Sequence, residues 1–330
     1  MSASSNAAER CVVAYHYSCP DGAFGALAAH VALRARGASV RFAPLQVFRP
    51  EAERVGGVAA SLCADETLYL IDITGGAGFI AACCARAKRV VVLDHHKTGE
   101  ADLAGPALAG LANLETHFDM ARSGATIARD YFGLPALLEA RGDAASAARV
   151  LRLIALVEDN DLFRHALPDS KLFSAGLEDL RIEFDATRDG GAVFERLLAL
   201  DADAVVTRGR VAIVEQERVI DDELSRSFRV SIPGGGAALA CLAVVTSFPD
   251  LRSVEGNKLA AKSAAAGLAA AGAVVYSEAS LGAETLKVSL RSVGDVDTTL
   301  VSQAFGGGGH KNASSFNVAR ATFESWRVVA

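Results

Sequence analysis

Residues 89–96 read RVVVLDHH, four apolar residues in a row closed by one aspartate and two histidines. A run so short and rich in β-branched residues fits a strand buried on both faces, as in a parallel sheet covered by helices on each side. The polar triplet then falls at the carboxyl end of the strand, the edge at which open α/β sheets bind ligands. The same texture recurs toward the N-terminus in CVVAYHY at 11–17, SVRFAPL at 39–45 and TLYLIDIT at 67–74. Longer Ala- and Leu-rich stretches separate these runs, the first of them helical as far as Arg36. The alternation predicts an α/β fold with a doubly wound parallel sheet in the N-terminal half. Chemistry gathers at one edge of that sheet. His16 ends the first strand with Asp21 just after it, Asp72 ends the third, and Asp94, His95 and His96 end the fourth.

Toward the C-terminus, a helical region from about Ala136 to Val157 ends in the acidic cluster Glu158, Asp159 and Asp161. A helix-rich stretch through Glu195 to Ser227 reads as a connector. After it the runs FRVSI, ALACLAVV, AVVYSEAS and TLKVSLRS read as strands of a second, smaller α/β domain. The apolar stretch Leu259–Tyr276 carries Lys262 and many alanines, so it reads as a packed amphipathic helix and not as a membrane span. A short helix over Thr298–Phe305, with Asp297 as its N-cap, leads into Gly306, Gly307, Gly308, Gly309 and His310. With 330 residues the chain exceeds the ~250–300 at which a single core stops growing. The expected organisation is a disordered tail over 1–10, a metal-binding catalytic domain over 11–195, a helical connector over 196–227 and a substrate-binding domain over 228–330, with a cleft between the two domains.

Hydrophobic residues make up 51% and charged residues 22%, the balance of a soluble globular protein. A net charge of −6 argues against gripping duplex DNA, which requires many cationic contacts to phosphate. It leaves room for a small anionic substrate if a metal supplies positive charge locally. The six cysteines form no CxxC pair and imply a reducing compartment. The polar N-terminus has no apolar segment of the kind that directs secretion, so the expected location is cytoplasmic, with no membrane partner. Oligomeric state stays open, a homodimer included.

A divalent metal pair needs hard oxygen ligands and imidazoles converging from separate elements, with one carboxylate able to bridge both ions. His16, Asp21, Asp72, His95 and Asp159 are the right residue types, and four of the five lie at or just after strand ends. The sequence resembles the DHH phosphoesterase superfamily, which includes RecJ-like exonucleases, nano-RNases, cyclic-dinucleotide phosphodiesterases and family II inorganic pyrophosphatases. HYSCPDG at 16–22, LIDIT around Asp72, LDHH at 93–96 and VEDNDLF around Asp159 are similar to its four N-terminal motifs. SLRS at 289–292 and FGGGGHKNASSF at 305–316 are similar to its associated C-terminal domain.

The resemblance implies that His16 and Asp21 bind metal, that Asp72 bridges two ions, and that His95 and Asp159 complete the sites. The ions would be Mn²⁺ or Mg²⁺, two per chain. Asp94 would orient the neighbouring imidazole, and His96 would face the scissile phosphate. Gly306 to Gly309 and His310 would form a substrate loop, with Arg291 as a phosphate clamp. Ser123 caps a helix start that would also shape the active-site floor, and Asn257 is either a nucleotide contact or a turn residue. The implied activity is two-metal hydrolysis of phosphodiester bonds in small nucleotides or short single-stranded oligonucleotides. A pyrophosphate or polyphosphate hydrolase and a catalytically impaired nucleotide-binding regulator are the alternatives. Many relatives carry HxxxDGD in the first motif, whereas this chain places Ala23 where a second carboxylate is usual. Cys19 is then either a ligand or a loop thiol, and Asp159 and Asp161 are interchangeable as ligands at this stage.

Overall fold

The computed structural model describes residues 8–45, 57–75, 78–140, 144–234, 236–278 and 281–328. Most of the tail expected over 1–10 lies outside the described residues, and Arg10 already opens the first strand. The chain divides into two units between Ala212 and Ile213.

The first unit is built on β1 (Arg10–His16), β2 (Ser39–Leu45), β3 (Glu66–Ile71), β4 (Arg89–Asp94) and β5 (Leu114–Phe118). All pairings are parallel, in the order β2-β1-β3-β4-β5. Alternation along the central strands sends Val13, Tyr15, Tyr69, Ile71, Val91 and Leu93 into the core on one face. Val12, Ala14, Leu68, Leu70, Val90 and Val92 enter the core on the other. This two-sided burial explains the unbroken apolar runs and is the doubly wound arrangement expected. β5, with the sequence LETHF, lies at the sheet edge and is only partly buried, so it has no such run to announce it.

The helices of this unit are α1 (Pro20–Ala35), α2 (Phe79–Cys84), α3 (Lys97–Leu103), α4 (Gly124–Tyr131), α5 (Leu134–Ala140), α6 (Ala144–Asp161), α7 (Ser170–Asp179) and α8 (Ala192–Ala199), with α9 (Ala202–Ser225) running across the division. α1 buries Phe24, Leu27, Val31 and Leu33 against the sheet, each worth about 1.5–3 kcal/mol. Pro20 at its start sits where no backbone donor is needed. A Cβ on Gly22 would lie 2.2 Å from the carbonyl oxygen of His16. Glycine there lets α1 begin hard against the end of β1, which brings Asp21 beside His16. In the order β2-β1-β3, successive connections leave β1 and β3 in opposite directions, so a crevice opens beyond their carboxyl ends.

The second unit carries β6 (Phe228–Ile232), β7 (Leu239–Val245), β8 (Ala271–Tyr276), β9 (Thr285–Ser292), β10 (Gly308–His310) and β11 (Ala313–Ala319), in the order β10-β11-β9-β8-β7-β6. Only β7 and β8 pair in parallel, and α10 (Arg252–Ala265) makes the crossover between them. α11 (Thr299–Ala304) and α12 (Arg320–Glu324) complete the unit. Three expectations are revised. The run Leu259–Tyr276 is not one helix: α10 ends at Ala265, Gly267 takes a left-handed φ of 73°, and Ala271 onward becomes β8. The short helix starts one residue late, with Thr298 as its cap and the Asp297 carboxylate accepting the Thr299 amide at 2.9 Å. The glycine tract is not wholly a loop, because Gly308–His310 pairs with β11. Among the described residues, no helix is long and apolar enough to cross a membrane.

Glu223 of α9 and Glu255 of α10 are buried together beside Thr246, whose hydroxyl lies 3.1 Å from Glu255 Oε1. Burial, and then the adjoining Glu223 carboxylate, push Glu255 up to about 8. A carboxyl raised in the folded state stabilises the fold below its ordinary value near 4.5, and that contribution is lost as pH rises through about 8. Glu255→Gln, an uncharged mimic of the protonated acid, should therefore gain melting temperature relative to wild type between pH 5 and 8. Parallel melting curves for the two proteins across that range would contradict the assignment.

Candidate metal centre

Five elements, β1, α1, β3, β4 and α6, deliver side chains to the carboxyl edge of the parallel sheet. Asp72 stands at its centre, 1% exposed, directly after β3 and with its backbone amide donating to Leu93 O at 2.8 Å. Its φ of 61° is left-handed, a conformation costly for most residues and tolerated best by Asp and Asn. Backbone conformations of this kind persist only where the surroundings fix them, and they cluster at ligand sites.

One oxygen of Asp72 lies 3.1 Å from His16 Nδ1, and the other lies 3.2 Å from His95 Nε2. His95 Nε2 is also 3.4 Å from an Asp161 oxygen and 3.6 Å from an Asp21 oxygen. His16, Asp72 and His96 have donor atoms within 4.8 Å of one another, and so do Asp21, Asp72 and His95. Asp72 is common to both sets.

Asp21 is 1% exposed and accepts the amides of Gly124 at 2.6 Å and Ala125 at 3.0 Å, where α4 begins. A Cβ on Gly124 would stand 2.7 Å from Asp72 Cβ, so only glycine lets this helix end reach both aspartates. Ser123 caps the helix through the Thr126 amide at 3.3 Å, the role its sequence context suggested. Glu158, to which the sequence assigned no task, accepts the Ser123 amide at 3.1 Å and so secures the same helix start.

The carboxylates repel one another. Burial first, then Asp72 and Asp161, hold Asp21 well above the usual carboxylate range, and burial followed by Asp72 raises Asp161. Burial also pushes Asp72 upward, but hydrogen bonds from His16 and His95 outweigh it and bring the group down to about 2. His96 Nδ1 donates to the Asp94 carboxylate at 2.8 Å, and this raises His96 to about 9, so His96 is a cation at neutral pH. The imidazole oriented by Asp94 is therefore that of His96.

Asp159 is corrected by the geometry. Two residues along a helix subtend about 200°, so Asp159 and Asp161 face opposite ways. Asp161 turns to the cluster. Asp159 turns to the following bend, where it accepts the amides of Ala166 at 3.0 Å and Leu167 at 3.2 Å. Ala23 is buried in the hydrophobic core, so its side chain faces away from the cluster and marks no missing ligand there. Cys19 precedes α1, and burial followed by Asp72 and Asp21 pushes its thiol upward, which keeps it protonated. It joins neither donor set.

The carboxylate donors fit hard divalent cations such as Mn²⁺ and Mg²⁺, and the imidazoles extend the set to borderline transition metals. Among the described residues no lysine or arginine pairs with Asp21, Asp72 or Asp161. Among the described residues the buried Asp94 Oδ2 also has no hydrogen-bond partner.

The remaining predicted residues lie in the second unit. Arg291, on β9, donates to Ser289 Oγ at 2.9 Å, Leu290 O at 3.0 Å and Ser253 Oγ at 3.0 Å, with no acidic partner among the described residues. Burial and then Arg252 lower its pKa, as two guanidinium groups close together require. A groove of about 380 Å³ is lined by Arg252, Lys287, Arg291, Tyr276, Gly308 and Gly309, among others. Arg252 and Lys287 were missed from the sequence. Gly306 and Gly307 line no part of this groove; a Cβ on Gly307 would lie 2.1 Å from Ser315 O, so that glycine serves chain packing. His310 is exposed at the end of β10 and is absent from the groove lining.

No family model matches the chain, and no curated protein matches it. Solved structures similar in fold include an exopolyphosphatase-related protein from Bacteroides fragilis at 13% identity and TM-score 0.48, covering 94% of this chain and 87% of that one. Exonuclease RecJ bound to manganese is similar at 18% identity and TM-score 0.49, covering 96% and 88%. A pGpG-specific phosphodiesterase from Vibrio cholerae is similar at 11% identity and TM-score 0.45, covering 96% and 95%.

Helix phase makes Asp161 and Asp159 separable by mutation. Asp161→Asn should weaken Mn²⁺ binding by at least ~10-fold, the smallest loss usual even for residues that only support a ligand. Asp159→Asn should leave Mn²⁺ affinity unchanged and lower the melting temperature. Titration calorimetry with thermal melts checks both, and a reversal of the two phenotypes would refute the geometry.

Proposed function

We propose that this chain is a metal-dependent phosphoesterase of the DHH superfamily, acting on phosphodiester bonds of small nucleotides or short single-stranded oligonucleotides. The observation that carries the reading is the convergence of His16 and His95 on opposite oxygens of the buried Asp72, with Asp21 and Asp161 beside His95. The order of the sequence motifs supports it, from HYSCPDG at 16–22 to FGGGGH at 305–310.

In this reading His16, Asp21, Asp72, His95 and Asp161 hold two Mn²⁺ or Mg²⁺ ions. When bound, such ions supply Lewis acidity toward phosphoryl oxygens and lower the pKa of water. The chain's own residues do the rest. Asp72 turns one oxygen toward His16 and the other toward His95, and its low pKa keeps it ionised. The amides of Gly124 and Ala125 fix Asp21 so that its orientation costs nothing at the moment of reaction. His96, charged through Asp94, presents a cation to the phosphate oxygens. Arg291, with Gly308 and Gly309, is the proposed contact for a further phosphate or for the leaving nucleotide, with His310 beside them.

A second reading, a pyrophosphate or polyphosphate hydrolase, is favoured by one observation. Arg252, Lys287 and Arg291 line the same groove, where Asp250 and Glu278 offset part of their charge and Lys287 donates to Glu278 at 3.2 Å. Mononucleotide release from a dinucleotide, measured against phosphate release from pyrophosphate with Mn²⁺ present, separates the readings. The dinucleotide should be cleaved and pyrophosphate left intact, and Asp72→Asn should reduce turnover by more than ~10²-fold, beyond the usual cost of losing a supporting residue. Pyrophosphate cleavage alone would transfer the assignment to the second reading. Cleavage of neither, with nucleotide still bound, would identify a regulator.

A further inference from the structure

The first unit contains a cavity of about 170 Å³ whose wall includes Pro20, Asn160, Phe163 and Phe173 together with Asp21 and Asp161 of the cluster. It is smaller than the ~300 Å³ at which pockets for drug-sized ligands begin, leaving room for one planar ring.

Phe163 is 82% exposed, more than any other large apolar residue among those described. Single exposed apolar side chains are ordinary, and exposure alone would mean little. The backbone makes this one different. Phe163 has a φ of 52°, a left-handed conformation that is rare for an aromatic residue. The bend containing it is clamped: the Phe163 amide donates to Asn160 O at 3.0 Å, and the Arg164 amide donates to Asp159 O at 3.0 Å. The Asp159 carboxylate then takes the amides of Ala166 and Leu167. A strained, fully tied bend therefore holds an apolar ring in water, two residues from a carboxylate of the cluster. The neighbouring His165 ring meets it edge-on at 6.2 Å. Asn160 adds an amide with both donor and acceptor capacity, and among the described residues it makes no side-chain hydrogen bond.

We propose that Phe163 is a stacking platform for a nucleobase of the substrate, with Asn160 at the edge of the same base. The proposal rests on the phosphoesterase reading and narrows it to substrates that carry a base next to the reacting phosphate. An inorganic phosphoanhydride has nothing to place on the ring. Asp159, which on this account has no contact with the ions, positions Phe163 through the clamped bend.

Equilibrium binding of AMP and of ribose 5-phosphate, measured by calorimetry with Mn²⁺ present, isolates the contribution of the base. Wild type should favour AMP by about 5- to 150-fold, the range equivalent to the ~1–3 kcal/mol usual for one base on an aromatic ring. Phe163→Ala should bring that ratio close to one without changing the affinity for ribose 5-phosphate, and Phe163→Trp should preserve it. Because the ring is exposed, thermal melts should show both variants folded as wild type. Equal binding of the two ligands by wild type, or a ratio untouched by Phe163→Ala, would overturn the proposal. Dinucleotide hydrolysis measured on the same preparations tests the underlying reading separately. Turnover without a base preference leaves a phosphoesterase lacking this platform, and a base preference without turnover leaves a nucleotide site lacking the activity.

Discussion

Mutual repulsion among Asp21, Asp72 and Asp161 is the constraint around which the N-terminal unit is organised. Asp21 and Asp72 are almost wholly buried, and neither has a lysine or arginine partner among the described residues. Burying an unpaired carboxylate is expensive, and groups so placed either keep a proton or find a cation. The protein answers partly from within. Two imidazoles flank Asp72 and two helix-terminal amides hold Asp21. Asp161 receives less, standing at the C-terminus of α6, where the helix dipole disfavours negative charge. A divalent cation answers all three at once.

The fold brings these groups together through close backbone approaches. The reversal of strand order at β1 opens the crevice, Gly22 lets α1 start at its lip, and Gly124 admits the end of α4. Asp72 accepts a left-handed backbone so that its carboxylate meets both donor sets. Each of these arrangements is locally unfavourable or intolerant of a side chain. Each places a polar group where the sheet alone would leave open solvent.

Much of this was legible from residue patterns because burial on both faces of a sheet writes itself as unbroken apolar runs. RVVVLDHH and TLYLIDIT therefore revealed both the strands and the polar residues at their ends. β5, partly buried at the sheet edge, lacks that signature, and β11, though interior, buries only alternate residues, so neither shows a continuous apolar run. Asp159 and Asp161 could not be ranked without the rotational phase of α6, which its packing against the helices α1, α4, α5 and α7 sets. Lys287 and Arg291 did carry a usable signal, since residues four apart on one strand share a face. Arg252 carried none, because its place depends on the crossover that lays α10 over β8 and β9. Glu158 was hidden in the same way, its bond to the Ser123 amide spanning 35 residues.

Anomalous diffraction from crystals grown with Mn²⁺ addresses the central claim directly. The account predicts two peaks per chain, about 3.5–4 Å apart as in other two-metal sites, with oxygens of Asp72 in contact with both. A structure at saturating Mn²⁺ with no ion at Asp72, its carboxylate still bonded only to His16 and His95, would contradict it.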